Sequence, residues 1–148
     1  MTLQERLAQE IKSAMLAKDA ERLGALRMLK STIGYLLIEK KEENISDPDF
    51  ISIVQKEVKK RRDSIEQFEA GKRPELAAKE KQEIAILEDF LPQQLTSEDL
   101  EKLVRTAIAE TGATNKKEMG PVIKAVQAKA AGRADGKTIS QLVGKLLP

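Results

Sequence analysis

Apolar residues recur at intervals of three and four along nearly the whole chain, separated by short polar stretches punctuated by Gly and Pro. Leu3, Leu7, Ile11, Ala14 and Met15 predict a first amphipathic helix ending near Lys18 and Asp19. Leu26, Leu29, Ile33, Leu36 and Leu37 predict a second, which fades into the charged residues 39–44; the two are expected to form a hairpin. Asp47-Pro48-Asp49 reads as a helix start, with Asp47 as N-cap and Pro48 at the first helical position, where its missing N–H costs nothing. The third helix carries Ile51, Val54, Val58, Ile65 and Phe68 and stops at Gly71. Pro74 opens a fourth, with Leu76, Ala77, Ile84, Leu87 and Leu91 turned inward, and Pro92 closes it.

A second run of signals follows. Thr96 is an N-cap with Asp99 as its reciprocal partner, and Leu95 and Leu100 are spaced as a hydrophobic staple. Leu100, Leu103, Val104, Ala107 and Ile108 form one apolar face and Gly112 closes that helix. Met119, Val122, Ile123 and Val126 mark the next, and Ile139, Leu142, Val143 and Leu146 the last. Pro121 predicts an irregular first turn, with the regular helix starting near Gly120. No stretch alternates with period two, so the expected fold is all-α: an N-terminal four-helix region over residues 1–93 and a small three-helix bundle over 96–148.

Composition narrows the chemistry. The 148 residues are 41% hydrophobic and 34% charged, too apolar for disorder, and they contain no run long enough for a membrane span. With no Cys and no His, disulfides, thiolate nucleophiles, imidazole bases and Cys/His metal sites are excluded. No cofactor is expected. The start, Met-Thr-Leu-Gln-Glu-Arg, lacks a basic segment followed by an apolar one, so no secretory signal is expected and the setting is read as cytoplasmic.

Charge adds an asymmetry. Residues 1–95 carry 17 cations against 18 anions, whereas residues 96–148 carry 9 against 6, and the excess lies late. From Thr111 onward, Lys116, Lys117, Lys124, Lys129, Arg133, Lys137 and Lys145 face only Glu118 and Asp135. Residues 132–137, Gly-Arg-Ala-Asp-Gly-Lys, form a basic turn: Gly132 supplies φ > 0, and Asp135 caps the following helix, setting Arg133 and Lys137 beside its positive end. At 100° per residue, Lys117 and Lys124 share the ridge opposite the apolar stripe, and Lys137, Gln141 and Lys145 form another. Lys117, Lys124, Lys129, Arg133, Lys137 and Lys145 are thus the candidate nucleic-acid-binding residues. Such ridges also serve merely to keep a helix soluble, and residue types alone do not separate the two.

A second basic block, Lys56, Lys59, Lys60, Arg61 and Arg62, is interleaved with Glu57, Asp63, Glu66 and Glu69 at pairing distance along a helix, so it is expected to be neutralised. Arg27 and Lys30, on the second helix, are a weaker version of the same signal. For catalysis, no nucleotide-binding glycine loop or nucleophile elbow is present, and any Ser, Thr or Lys nucleophile would lack a His base; no catalytic residue is assigned. Aromatics are few. Phe50, Phe68 and Phe90 are expected in cores and Tyr35 on the surface, so bound nucleic acid would be read by backbone and shape.

Taken as a set, several segments resemble the YqeY family: residues 84–95, Ile-Ala-Ile-Leu-Glu-Asp-Phe-Leu-Pro-Gln-Gln-Leu; Glu118-Met119-Gly120; and the 132–137 turn with Ser140 and Val143. Residues 26–31, Leu-Arg-Met-Leu-Lys-Ser, and residues 61–68 with Gly71-Lys72-Arg73-Pro74 extend the likeness over nearly the whole chain. The same domain forms the C-terminal tail of the GatB component of the glutamine-dependent tRNA amidotransferase and is fused to some glutaminyl-tRNA synthetases. The resemblance implies an all-helical protein that binds tRNA away from any chemistry, with Lys124, Arg133 and Lys137 touching the RNA backbone. The chain departs from the family pattern at Pro121, where many relatives carry a basic residue. The resemblance leaves two alternatives: a carbon–nitrogen ligase activity with glutamine as amido donor, and a protein-interaction module docking on a tRNA synthetase or an amidotransferase.

Overall fold

Helix starts in this chain are set by short polar side chains. In the computed structural model, which describes Met1–Pro148, Thr2 and Glu5 form a full capping box that starts α1 (Leu3–Leu16). Asp19 accepts the Arg22 N–H at 3.1 Å to start α2 (Ala20–Lys40). The third start differs from expectation: Ser46, not Asp47, caps α3 (Asp47–Ala70), and Pro48 is its second residue. Asp47 instead accepts the Leu3 N–H at 2.9 Å, tying the beginning of α1 to that of α3. Then come α4 (Pro74–Glu88), α5 (Ser97–Thr111), a 3-10 turn (Lys116–Glu118), α6 (Met119–Ala130) and α7 (Gly136–Leu146). All regular structure is helical. No helix is long and apolar enough to cross a membrane.

The helices fall into two compact units, Met1–Leu91 and Pro92–Pro148. In the first, Leu7 and Ala14 of α1, Leu26, Leu29 and Ile33 of α2, Phe50, Val54 and Val58 of α3, and Ile84 and Leu87 of α4 form one core. Each Leu, Ile, Val or Phe among them contributes about 1.5–3 kcal/mol when taken fully from water. Phe90, just past α4, completes the core: its ring lies 5.5 Å from that of Phe50, and the Arg6 guanidinium sits 4.8 Å from its centroid. Arg61 on α3 is the one buried charged residue in the chain. Its guanidinium meets Glu57 at 2.9 Å and Glu83 of α4 at 3.1 Å. Burial by itself lowers the pKa of Arg61, but the hydrogen bonds and charges of Glu57 and Glu83 outweigh it, so the pKa lies above the usual arginine value.

The second unit buries Leu100, Val104 and Ala107 of α5, Val122, Val126 and Ala130 of α6, and Ile139 and Val143 of α7, with Leu147 closing the end. The stripes of all three helices are thus the expected ones. Thr96 caps α5 through the Asp99 N–H at 3.1 Å, but the reciprocal carboxylate arm is not made. Pro121 costs no hydrogen bond: it is the third residue of α6, within the first turn whose N–H groups have no helical acceptor.

Candidate nucleic-acid interface

The basic turn is built by backbone geometry. Ala131 ends α6 in the left-handed region, with φ 47 and ψ 50, and Gly132 follows at φ 82. Two successive left-handed residues reverse the chain. Only the second is glycine, so Ala131 carries a steric cost. Asp135 then accepts the Thr138 N–H at 2.7 Å and caps α7, as its position predicted.

What holds this turn comes from elsewhere in the chain. Residues 92–95 run alongside it as a strap: Leu95 N–H donates to the Arg133 carbonyl at 2.8 Å, and Gln94 Nε2 donates to the Gly132 carbonyl at 3.3 Å. Gln94 also reaches the Pro92 carbonyl at 2.9 Å. Arg133 closes the arrangement with Nε–H donating to the Gln93 carbonyl at 2.9 Å. One of its five donors therefore has a structural use, which orients the rest of the guanidinium. No sequence spacing announces such a bond, because it joins residues forty positions apart.

The six candidate cations do not behave alike. Lys124 is exposed on α6, away from Val122 and Val126. Lys137, Gln141 and Lys145 are all exposed along α7, so that ridge is continuous, its end lysines about 12 Å apart along the axis. Lys117 is exposed but belongs to the 3-10 turn, where its N–H donates to Asn115 Oδ1 at 2.9 Å. A ridge joining it to Lys124 requires one unbroken α-helix; the break before Met119 removes that basis. Lys129 pairs with Glu110 of α5 at 2.6 Å, so a phosphate reaching Lys129 would have to displace that carboxylate. Lys116, Lys117, Lys124 and Lys145 make no ion pair.

The earlier basic block is engaged differently. Besides the buried Arg61, Lys60 approaches Glu57 at 3.7 Å and Arg62 pairs with Glu88 of α4 at 3.0 Å. The expected neutralisation is thus met at Lys60, Arg61 and Arg62, while Lys56 and Lys59 are exposed and make no ion pair. Six hydroxyls have structural uses: Thr2, Ser46 and Thr96 cap helices, while Thr32, Thr106 and Thr111 donate to carbonyls of the preceding turn. No group of three acidic, His or Cys residues is placed to hold a metal ion.

Against known proteins, a family model described as Yqey-like protein matches residues 4–147. Among curated relatives, the chain is 34% identical over 136 residues to the Altered inheritance of mitochondria protein 41, mitochondrial, of Kluyveromyces lactis; the match covers 90% of this chain and 69% of that one. The proteins of the same name from Candida glabrata and Saccharomyces cerevisiae match at 37% over 88 residues and 33% over 95. These matches cover 59% and 64% of this chain, and about half of each relative, 48% and 51%. The mitochondrial names of these relatives overturn the cytoplasmic expectation. That expectation rested on a start lacking a secretory signal, a feature that does not distinguish cytosol from an organelle entered by another route.

Proposed function

Because the chain belongs to the YqeY family, we propose that it is a tRNA-binding accessory module whose second unit touches the RNA backbone. In this reading the two units, Met1–Leu91 and Pro92–Pro148, act as separate domains, and the second carries the binding surface. The observation that carries the proposal is the contrast in pairing. In the earlier basic block Lys60, Arg61 and Arg62 are engaged by acids, whereas Lys117, Lys124 and Lys145 stand exposed and unpaired on the unit whose turn is held by its strap, where cations outnumber acids. Arg133 presents its remaining donors from that turn, and Lys137 lies beside the positive end of α7. Unpaired cations release counterions when they meet phosphate; paired ones must first give up a partner. Binding is favoured over amido transfer because the chain has no His to serve as base to a Ser or Thr nucleophile and no Cys thiol.

The test is fluorescence anisotropy of labelled bulk tRNA over a salt series, with the intact protein and a Lys117→Glu, Lys124→Glu, Lys145→Glu variant. None of these side chains makes a bond the fold needs, so the variant should keep its helical circular dichroism. The expected result is a log affinity that falls linearly with log salt, with a slope shallower in the variant by roughly 0.7–0.9 for each phosphate no longer engaged. Equal affinity and slope in both proteins would remove the proposal.

A further inference from the structure

The second helix has an outer face that the core does not use. Leu26, Leu29 and Ile33 point into the first unit, yet Met28, Tyr35 and Ile38 are exposed at 55%, 75% and 76%. With Gly24 and Ser31 they fall at positions 24, 28, 31, 35 and 38, alternating steps of four and three. That is the spacing of the a and d positions of a coiled-coil seam, where a second helix inserts side chains between those of the first. A side chain at Gly24 or Gly34 would meet nothing within 4 Å, so the face is open to a close approach. Isolated exposed apolar residues need no explanation; a row of them in seam register does.

The charges along its borders select the occupant. Arg27, exposed and without an ion pair, flanks the middle of the seam and the exposed, unpaired Lys30 lies beyond it on the same side, while Glu39 flanks the other side at one end and Glu21 continues the seam register at the other. A second copy of α2 laid antiparallel would set the basic edge against itself, and one laid parallel in register would leave Arg27 and Lys30 facing no acid. Glu21 and Glu39 at the two ends of this face oppose an anionic bilayer surface.

We propose that the outer face of α2 docks an amphipathic helix of another protein, apolar along its seam and acidic along the edge that meets Arg27 and Lys30. This site is on the other unit from the candidate RNA surface and does not depend on it. Met28, Tyr35 and Ile38 supply the buried seam, and Arg27 and Lys30 select the partner's charge and direction.

The probes are two labelled three-heptad peptides with Leu along the seam and Gln along one edge, one with Glu and its twin with Lys along the other. Like charges on the edge discourage each peptide from pairing with itself. The intact protein is expected to bind the Glu-edged peptide about fivefold to tenfold more tightly than the Lys-edged one. Arg27→Glu with Lys30→Glu is expected to reverse that preference, and Met28→Glu with Ile38→Glu to abolish binding of both while circular dichroism is unchanged. No preference, or a preference that survives the charge reversal, would overturn the proposal. So would concentration-dependent dimerisation of the protein alone that the Met28→Glu, Ile38→Glu variant loses, which makes the occupant a second copy. Sedimentation with anionic phospholipid vesicles in place of peptide binding would overturn it in favour of a membrane surface.

Discussion

Two cation-rich stretches of one chain, the α3 block around Arg61 and the late face around the 132–137 turn, differ in how many acids stand within reach of their cations. On α3, acids stand one turn away on the same helix and across the hairpin on α4, and Arg61 is drawn into the interior by Glu57 and Glu83. On the late face the acids are few and already used: Asp135 caps α7, Glu110 holds Lys129, and Glu118 accepts the Thr114 N–H at 2.9 Å. A run of cations is therefore a weak signal by itself. What decides its use is how many acids lie within reach and what else those acids must do.

The largest effect is expected where the charge is buried. Arg61→Ala leaves Glu57 and Glu83 facing each other, with side chains only 14% and 18% exposed, and removes a guanidinium that holds α3 to α4. A destabilisation of about 3 kcal/mol is expected, the low end for a broken buried pair because both carboxylates retain some water. Urea unfolding measures it. Arg61→Met combined with Glu57→Gln and Glu83→Gln should regain most of that stability, since no unpaired charge remains. The raised pKa of Arg61 fixes the sign with pH: its contribution is complete at any pH below the unfolded arginine value and is lost only above that. Deprotonation of Arg61 therefore makes no transition in the working range.

The next effect compares the stretches directly. Lys117→Glu with Lys124→Glu should weaken tRNA binding by roughly tenfold at moderate salt, whereas Lys56→Glu with Lys59→Glu, equally exposed and equal in charge change, should leave it nearly unchanged. Equal weakening by both pairs would mean that only net charge matters and that the late face has no special standing. The anisotropy titration used for the intact protein separates the two outcomes.

Much of this architecture was legible in the sequence, and the places where it was not have a common cause. The stripes of α5, α6 and α7 follow from period alone because each helix has one neighbouring core to face. Asp135 as a cap and Gly132 at positive φ were readable because both are local choices of a few residues. The α3 cap moved from Asp47 to Ser46 because Asp47 is claimed by Leu3, forty-four positions away. The strap of residues 92–95 and the burial of Arg61 are likewise long-range bonds without a periodic signature. The outer face of α2 was hidden for another reason: its inner residues already satisfy the helical period, so Met28, Tyr35 and Ile38 add nothing to the helix signal.

The capping bond gives a smaller effect confined to the turn. Asp135→Ala removes the acceptor for the Thr138 N–H at the start of α7, at an expected cost of about 1 kcal/mol. If Arg133 and Lys137 owe their placement to that cap, tRNA affinity should fall with it; Asp135→Asn, which keeps a capping oxygen, should restore both stability and affinity. Unfolding and anisotropy on the same two variants check the link, and reduced stability with unchanged affinity would break it.

The smallest effect runs in the opposite direction. Ala131 holds φ 47 with a Cβ that this region disfavours, and its N–H still donates to the Gln127 carbonyl at 3.1 Å. Ala131→Gly relieves the steric cost while adding freedom to the unfolded chain, so the net gain expected is about 0.5 kcal/mol. The first unit offers a control in Lys41, which ends α2 at φ 56 with no part in the late face. Lys41→Gly should stabilise by a similar amount and leave RNA binding as it was. Should Ala131→Gly stabilise equally but weaken binding, rigidity of the turn contributes to holding Arg133 in place. Should both leave binding alone, the strap is sufficient to fix the turn, and strain at Ala131 is only the result of reversing the chain in two residues with one glycine.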